Sequence, residues 1–267
     1  MTVGDFMNYK YAIFFDVDHT LYNPITKKIP ASTQSAIEAL AKRDDVLIGI
    51  ATGRAFYMLD IIQSLKPYIN VYITINGQKI MHKNQEIHDE PMDPKLLKKV
   101  KNTFQSQDLT YGFIGETAQV VNRLNDYVKN MFLSQNMPLP IVDANYDLNH
   151  SVYQMWAFGD EDVLSKMTAI IDSKYIVPWI SDGFDIIDPN KNKIHGIKKV
   201  INHLNIALED VYCFGDGEND LGMLKGIPNS IAMQNAMNHI KNHATFVTEA
   251  FDEDGIYNAL KRLDFIE

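Results

Sequence analysis

Cysteine is almost missing from this chain: Cys213 is the single one in 267 residues, so no internal disulfide can form. That suits a reducing cytosol. Cys213 sits in the apolar run Val211 to Phe214, where a buried thiol serves as a small hydrophobe. Long apolar runs are missing too. No stretch approaches the ~18 consecutive apolar residues of a membrane span, and Met1 to Tyr9, which include Asp5 and Asn8, hold no apolar segment of an export signal. The expectation is a cytoplasmic protein with no membrane partner. Positive charge is in deficit, with 25 Lys and Arg against 34 Asp and Glu and a net charge of -9. Such a chain lacks the field that binding a phosphate backbone requires, so no nucleic acid partner is expected. There is no internal repeat and no low-complexity segment. What is present is ordinary globular composition, 46% hydrophobic and 22% charged. The length allows one large or two modest domains; a monomer and a small homo-oligomer are both open.

The stretch Tyr11-Ala-Ile-Phe-Phe-Asp16-Val-Asp18-His-Thr20 organises the rest. Five apolar residues, enough for a buried strand, run into two carboxylates spaced i, i+2 and then a hydroxyl. Two carboxylates that close repel each other unless a cation or a proton relieves them. Chemistry is the stronger reason for such a pair, and the plain alternative is a strand followed by an acidic turn with an Asx or Ser/Thr cap. Further on, Val46 to Thr52 ends in Thr52-Gly53-Arg54 and passes into an amphipathic segment closed by Pro67, and Val71 to Ile75 stops at Asn76-Gly77. Strand, helix, strand, helix, strand with short links predicts βαβ units and a parallel sheet. From His82 the texture changes to hairpin and strand patterns around two short helical segments, and the parallel pattern resumes with Lys193, a helix through Leu204, and Asp210 to Asp220. The fold class is therefore α/β: a Rossmann-like parallel core of residues 1–81 and 182–267, with an inserted α+β domain at 82–181.

Each core run ends on a polar residue: Asp16, Thr52, Asn76, Asp216 and the pair Gln234-Asn235. In a parallel sheet these strand ends share one rim. Mg²⁺ takes one or two carboxylates with waters and phosphate oxygens, and Asp16 with Asp216 would supply them. Thr52 and the amide of Gly53 at a helix start would cradle an anion, and Lys193 adds positive charge. A carboxylate at Asp16 can attack phosphorus, and Asp18 can pass the proton.

These motifs resemble those of a haloacid dehalogenase (HAD) superfamily phosphatase, Cof-type subclass IIB. Asp16-Val-Asp18-His-Thr20 matches the first motif, Thr52 in Ala-Thr-Gly-Arg54 the second, Lys193 the third, and Gly215-Asp216-Gly-Glu-Asn219-Asp220 the fourth. The resemblance implies Asp16 as nucleophile and metal ligand, and Asp18 as acid/base with its carbonyl on the metal. It implies Asp216 as metal ligand, Thr52 and Lys193 as phosphate binders, and Asn219 and Asp220 as support for the metal waters or Lys193. The insertion resembles the family's C2B cap, which selects substrate, hinged near Ile80 to His82 and Ser181 to Gly183. The implied activity is Mg²⁺-dependent hydrolysis of a small phosphorylated metabolite, a sugar phosphate or a cofactor-pathway phosphate, through an aspartyl-phosphate. A phosphomutase, or a non-catalytic phospholigand-binding protein, would share these residues in part. His19 departs from the glycine usual in the family and reads as an outward-pointing residue. Lys191, two residues from Lys193, lies in the same polar loop. His82 and His88 read as solvated, Trp156 and Trp179 as core residues of the insertion, and Lys95, Lys98, Lys99 and Lys101 as the wet face of a helix.

Overall fold

The structure, a computed structural model, describes residues 9–134, 137–178 and 183–267. The first part of the chain forms β1 (Tyr11–Phe15), α1 (Ala31–Leu40), β2 (Val46–Ala51), β3 (Val71–Thr74), β4 (Lys79–His82) and β5 (Gln85–Asp89). A second group follows: α2 (Pro94–Ser106), β6 (Thr110–Gly115), β7 (Gln119–Val121), α3 (Asp126–Ser134), β8 (Ile141–Val142), β9 (Val152–Phe158), α4 (Glu161–Thr168), β10 (Ile176–Pro178) and β11 (Gly183–Ile186). The last part returns with α5 (Lys193–Leu204), β12 (Val211–Gly215), α6 (Leu221–Gly226), β13 (Asn229–Met233), α7 (Asn238–Lys241), β14 (Phe246–Thr248) and α8 (Gly255–Arg262).

The first unit contains an eight-stranded sheet in the order β14-β13-β12-β1-β2-β3-β4-β5. Its strands are parallel from β14 to β3, and β4 and β5 add an antiparallel edge. Connections run from β1 toward β3 on one side and from β12 toward β14 on the other, so the topological switch lies between β1 and β12. Alternation places Ile13 and Phe15 in a cluster with Ile37 of α1 and Leu260 of α8. Ala12 and Phe14 face the other way, among Ile197 and Val200 of α5 and Met223 of α6. Burial on both faces is why β1 reads as an unbroken apolar run.

The second unit holds a six-stranded sheet in the order β10-β11-β9-β6-β7-β8. Phe104, Phe113, Met155 and Phe184 fill its core, and Trp156 is buried with Phe132 and Phe158. On α2, Lys101 is not on a wet face as expected: it is buried and paired with Asp147 at 2.5 Å. The salt bridge accounts for its place inside.

The unit boundaries also differ from 82–181. The first unit runs to Arg54, from Met58 to Asp89 and from Asn192 to Glu267, and the second takes Ala55–Tyr57 and Glu90–Lys191. Lys83 and Asn84, both with positive φ, turn β4 into β5, which extends the core sheet past His82. On the return, β11 pairs with β9 and so belongs to the insertion. Trp179, the end of a strand expected to reach Ile180, and Ser181 and Asp182 of the expected hinge lie outside the described residues. The segment after Thr52 forms 3₁₀ turns at Phe56–Ile62 and Lys66–Tyr68 instead of an α-helix. Among the described residues no helix is long and apolar enough to cross a membrane.

How α5 meets the sheet decides where Lys193 stands. Gly196 has room for no side chain: a Cβ there would lie 2.5 Å from Ile73 Cγ2 and 2.9 Å from the Cα of Gly77. Gly77 has φ +96°, and a Cβ on it would collide with the Asn192 carbonyl. Gly196→Ala should push α5 off β3 and destabilise the protein by about 1–3 kcal/mol, the usual range for overpacking. Urea unfolding checks this, and an unchanged midpoint would show that the close approach is not required.

Candidate active site

Asp16 leaves β1 with its amide donating to the Phe214 carbonyl at 3.0 Å, which sets its carboxylate at the switch point. The side chain is 6% exposed. Lys193, the first residue of α5, is fully buried, and its Nζ donates to Asp16 Oδ1 at 2.5 Å and to Asp220 Oδ1 at 2.6 Å. The other oxygen of Asp220 accepts from the amides of Asp216 and Gly217 at 2.9 and 2.8 Å. Asp220 thus ties the lysine to the loop that carries Asp216. Asp216 accepts from the Thr20 hydroxyl at 3.1 Å and from Asn235 Nδ2 at 3.2 Å. Lys191 is engaged elsewhere, donating to the carbonyls of Glu90 and Pro91 in the second unit.

Burial pushes the Asp16 carboxyl well above the ordinary carboxylate range; the Lys193 ammonium opposes this and Asp220 adds to it. For Lys193, burial favours the neutral amine, but Asp16 and Asp220 outweigh it and raise the pKa. Burial and then Asp220 push Asp216 up to about 6. Two carboxylates disposed to hold protons are what a site looks like when its balance includes a cation. One oxygen from each of Asp16, Asp216 and Asp220 lies within 4.8 Å of the others. Since Asp220 is spent on Lys193 and two amides, Asp16 and Asp216 are the oxygens best placed for a cation. An all-oxygen donor set fits a hard divalent ion.

The Asp18 carboxylate turns away from this group into a two-point fork with Arg54, at 2.7 Å from Nε and 2.8 Å from Nη2. Thr52 is 1% exposed, and its hydroxyl accepts from the Arg54 amide at 3.1 Å, which leaves its own proton for another acceptor. Gly53 precedes the first 3₁₀ turn by three residues, so its amide does not open a helix. It lies instead under Asn76 and Asn219, whose side chains bond at 3.3 Å. Asn219 was expected to serve the metal waters or Lys193; its bond to Asn76 draws the β3 and β12 loops together. The turn after β3 is strained, with Ile75 and Asn76 both at positive φ. His19 is exposed at φ 57°, its ring edge-on to Phe251.

Two further residues belong to the arrangement: Arg54, for which the sequence offers pairing with a carboxylate or contact with substrate, and Asn235, which has no role assigned from sequence. Arg54 holds Asp18, and Asn235 joins three loops by donating to the His19 carbonyl and Asp216 and accepting from the Phe251 amide. The signal for Asn235 was its place just past a core strand, now β13.

Fold and site together define a doubly wound α/β protein whose switch point carries paired carboxylates braced by a buried lysine. The chain belongs to the haloacid dehalogenase-like hydrolases, whose family model matches residues 13–260. It is 31% identical over 257 residues to the putative phosphatase YkrA of Bacillus subtilis (strain 168), covering 96% of this chain and 98% of that protein. It is 30% identical over 258 residues to a putative bifunctional phosphatase/peptidyl-prolyl cis-trans isomerase of Streptococcus pyogenes serotype M6, of which it spans 54%. Among solved structures, a sugar phosphatase of HAD subclass IIB superposes with a TM-score of 0.84 at 31% identity, over 96% of this chain and 100% of that one.

The raised Asp216 pKa has a stability consequence. Between its ordinary value of 3.8 and about 6, the folded state binds the proton more tightly than the unfolded chain, so stability falls as pH rises through that window. In chelator at pH 7, Asp216→Asn should therefore be more stable than wild type by up to ~3 kcal/mol. The difference should close as pH falls to about 4. Denaturant unfolding at the two pH values checks the sign, and a variant less stable than wild type at pH 7 would refute it.

Proposed function

We propose that this protein is a Mg²⁺-dependent phosphomonoesterase acting on a small phosphorylated metabolite, with a sugar phosphate as the first class to test. The reading rests chiefly on one observation: the buried Asp16–Lys193–Asp220 chain fixes one oxygen of Asp16 and leaves the other for attack at the rim. The likeness to a sugar phosphatase supports the substrate class.

Asp16 is the nucleophile: its free oxygen forms a bond to phosphorus while the ester P–O bond breaks. Asp18 gives its proton to the departing oxygen, then takes one from the water that attacks the aspartyl-phosphate, releasing phosphate and regenerating Asp16. Both Asp18 oxygens accept from Arg54 in this structure, so proton delivery requires that fork to open. Arg54 is a positioning residue for Asp18. Thr52, the Gly53 amide and Lys193 bind and orient the phosphoryl group. Asp16, Asp216 and the Asp18 carbonyl would hold Mg²⁺, which supplies positive charge to keep the carboxylates ionised and to offset charge on the phosphoryl oxygens. Choice among leaving groups falls to the inserted unit.

Asp16→Asn should abolish phosphate release with the fold retained, because an amide of the same shape does not attack phosphorus. Asp18→Asn should slow turnover by roughly 10²- to 10⁴-fold, the range of a lost general acid/base. Release of inorganic phosphate over a panel of sugar phosphates tests both; turnover by Asp16→Asn at the wild-type rate would end the proposal. Activity should also vanish in EDTA and return with Mg²⁺, whereas Ca²⁺, with its looser and larger shell, should not restore it. Undiminished turnover in chelator would remove the cation from the mechanism.

A further inference from the structure

Of the eight histidines in the chain, four line one seam of the first unit, where α5 crosses the β4–β5 edge of the sheet. Ile80 is the register partner of His88, and directly opposed residues share a face of the sheet. Ile80 is buried with Ile197, Val200 and Ile201 of α5, so His88 points to the side that α5 covers. His195, in the first turn of α5, meets it there: the ring centroids are 6.3 Å apart with planes at 64°. A ring nitrogen of each lies within 4.8 Å of one on the other. Two residues along β4 from Ile80 is His82, close enough to His203 of α5 for its pKa to be lowered, by burial first and then by the charges of Lys83 and His203. The Nε2 of His82 is buried without a partner. This seam differs from the solvated pair of histidines that the sequence suggested, because β5 and α5 are brought together across more than a hundred residues of chain.

The ring nitrogens of His88 and His195 group apart from the carboxylates of Asp16, Asp216 and Asp220, and both residues are anchored on regular elements. β5 is paired to β4 along its length, and the His195 amide is held by the Asn192 side chain at 3.1 Å. Imidazole nitrogen is a borderline donor that suits Zn²⁺, Co²⁺, Ni²⁺ and Cu²⁺ and is a poor match for Mg²⁺. Two nitrogens on one such ion, each about 2.0–2.1 Å from it, stand at most ~4.2 Å apart. The observed separation of at most 4.8 Å is close to that spacing, and both residues are half-exposed, so solvent has access to complete the shell.

We propose that His88 and His195 form a second cation site, for a late first-row divalent ion such as Zn²⁺ or Co²⁺, separate in place and in ligand chemistry from the oxygen-lined rim. Its occupancy cross-links the sheet edge to the first turn of α5, two residues beyond Lys193. The inference stands whether or not the rim hydrolyses phosphate esters.

The test is a Co²⁺ titration of the full chain with the rim saturated by millimolar Mg²⁺, read by visible absorption and by thermal unfolding. One equivalent should bind, giving the visible bands of imidazole-ligated Co²⁺ and a higher melting temperature. His88→Gln and His195→Gln should each weaken binding by at least tenfold, since loss of even an outer partner of a metal ligand costs ~10- to 100-fold. His243→Gln should bind as wild type. In unsubstituted protein, Co²⁺ should selectively broaden the ring resonances of His88 and His195, a readout that needs no variant to fold. The proposal is overturned if either glutamine variant binds Co²⁺ as wild type does, if Asp216→Asn abolishes binding, or if the two rings are not broadened.

Discussion

Lys193 keeps its ammonium wholly out of water between two carboxylates, and much of the first unit is arranged to make that tolerable. Removing such ions from water costs several kcal/mol each, returned only when geometry is close and every remaining lone pair is used. The structure meets that demand by sequence-distant means. Asp220 spends its second oxygen on two backbone amides, Gly196 lets α5 approach β3 and Gly77, and Asn192 caps the helix that begins at the lysine. Asp16 is left with one oxygen fixed and a strong tendency to hold a proton. A cation at the rim, as proposed, would resolve that tendency in the same three side chains.

The rim around them stores strain. Ile75, a β-branched residue, and Asn76 sit at φ 49° and 53°, and His19 occupies the left-handed region where glycine is at ease. Such residues cost of order 1–3 kcal/mol each and persist when their surroundings over-determine them. Here the fixing bonds are visible. The Ile75 amide donates to the Arg54 carbonyl and the Asn76 amide to the Thr52 carbonyl, while Asn235 and Tyr22 hold the backbone of His19. The strained turn carries Asn76 to Asn219 and so closes the floor over Gly53. The side chain at position 19 is exposed, its ring edge-on to Phe251.

A trade between stability and chemistry runs through the site. Asp216 gains from protonation in the metal-free protein, and Asp18 is held on both oxygens by Arg54, in a fork that would have to open for the proton transfer proposed above. Both are arrangements that a protein selected for stability alone would not keep. The histidine seam is separate from this trade, since its imidazoles lie at the sheet edge and take a different class of ion.

Much of the fold was legible in the sequence because strands buried on both faces must be apolar along their length and must end where the chain meets water. The run from Tyr11 to Phe15, the polar residue after each core strand and the doubly wound order follow from that requirement, and Asp16, Thr52 and Asp216 each follow the end of a parallel strand while Lys193 opens α5. What the sequence could not carry was anything set by contact between distant segments. Spacing to Gly196-Ile197 already favours Lys193 over Lys191, but its seat between two buried carboxylates is set by tertiary contact, and the partner of Asp18 by where the 3₁₀ turn after Thr52 leaves Arg54. The extension of the core to Asp89 depends on a hairpin turn, the burial of Lys101 on Asp147 some forty residues away, and the meeting of His88 with His195 on helix packing across the sheet edge. Local pattern determines which residues are inside and which are at the rim, whereas pairing among those at the rim is decided by three-dimensional distance, which sequence spacing does not encode.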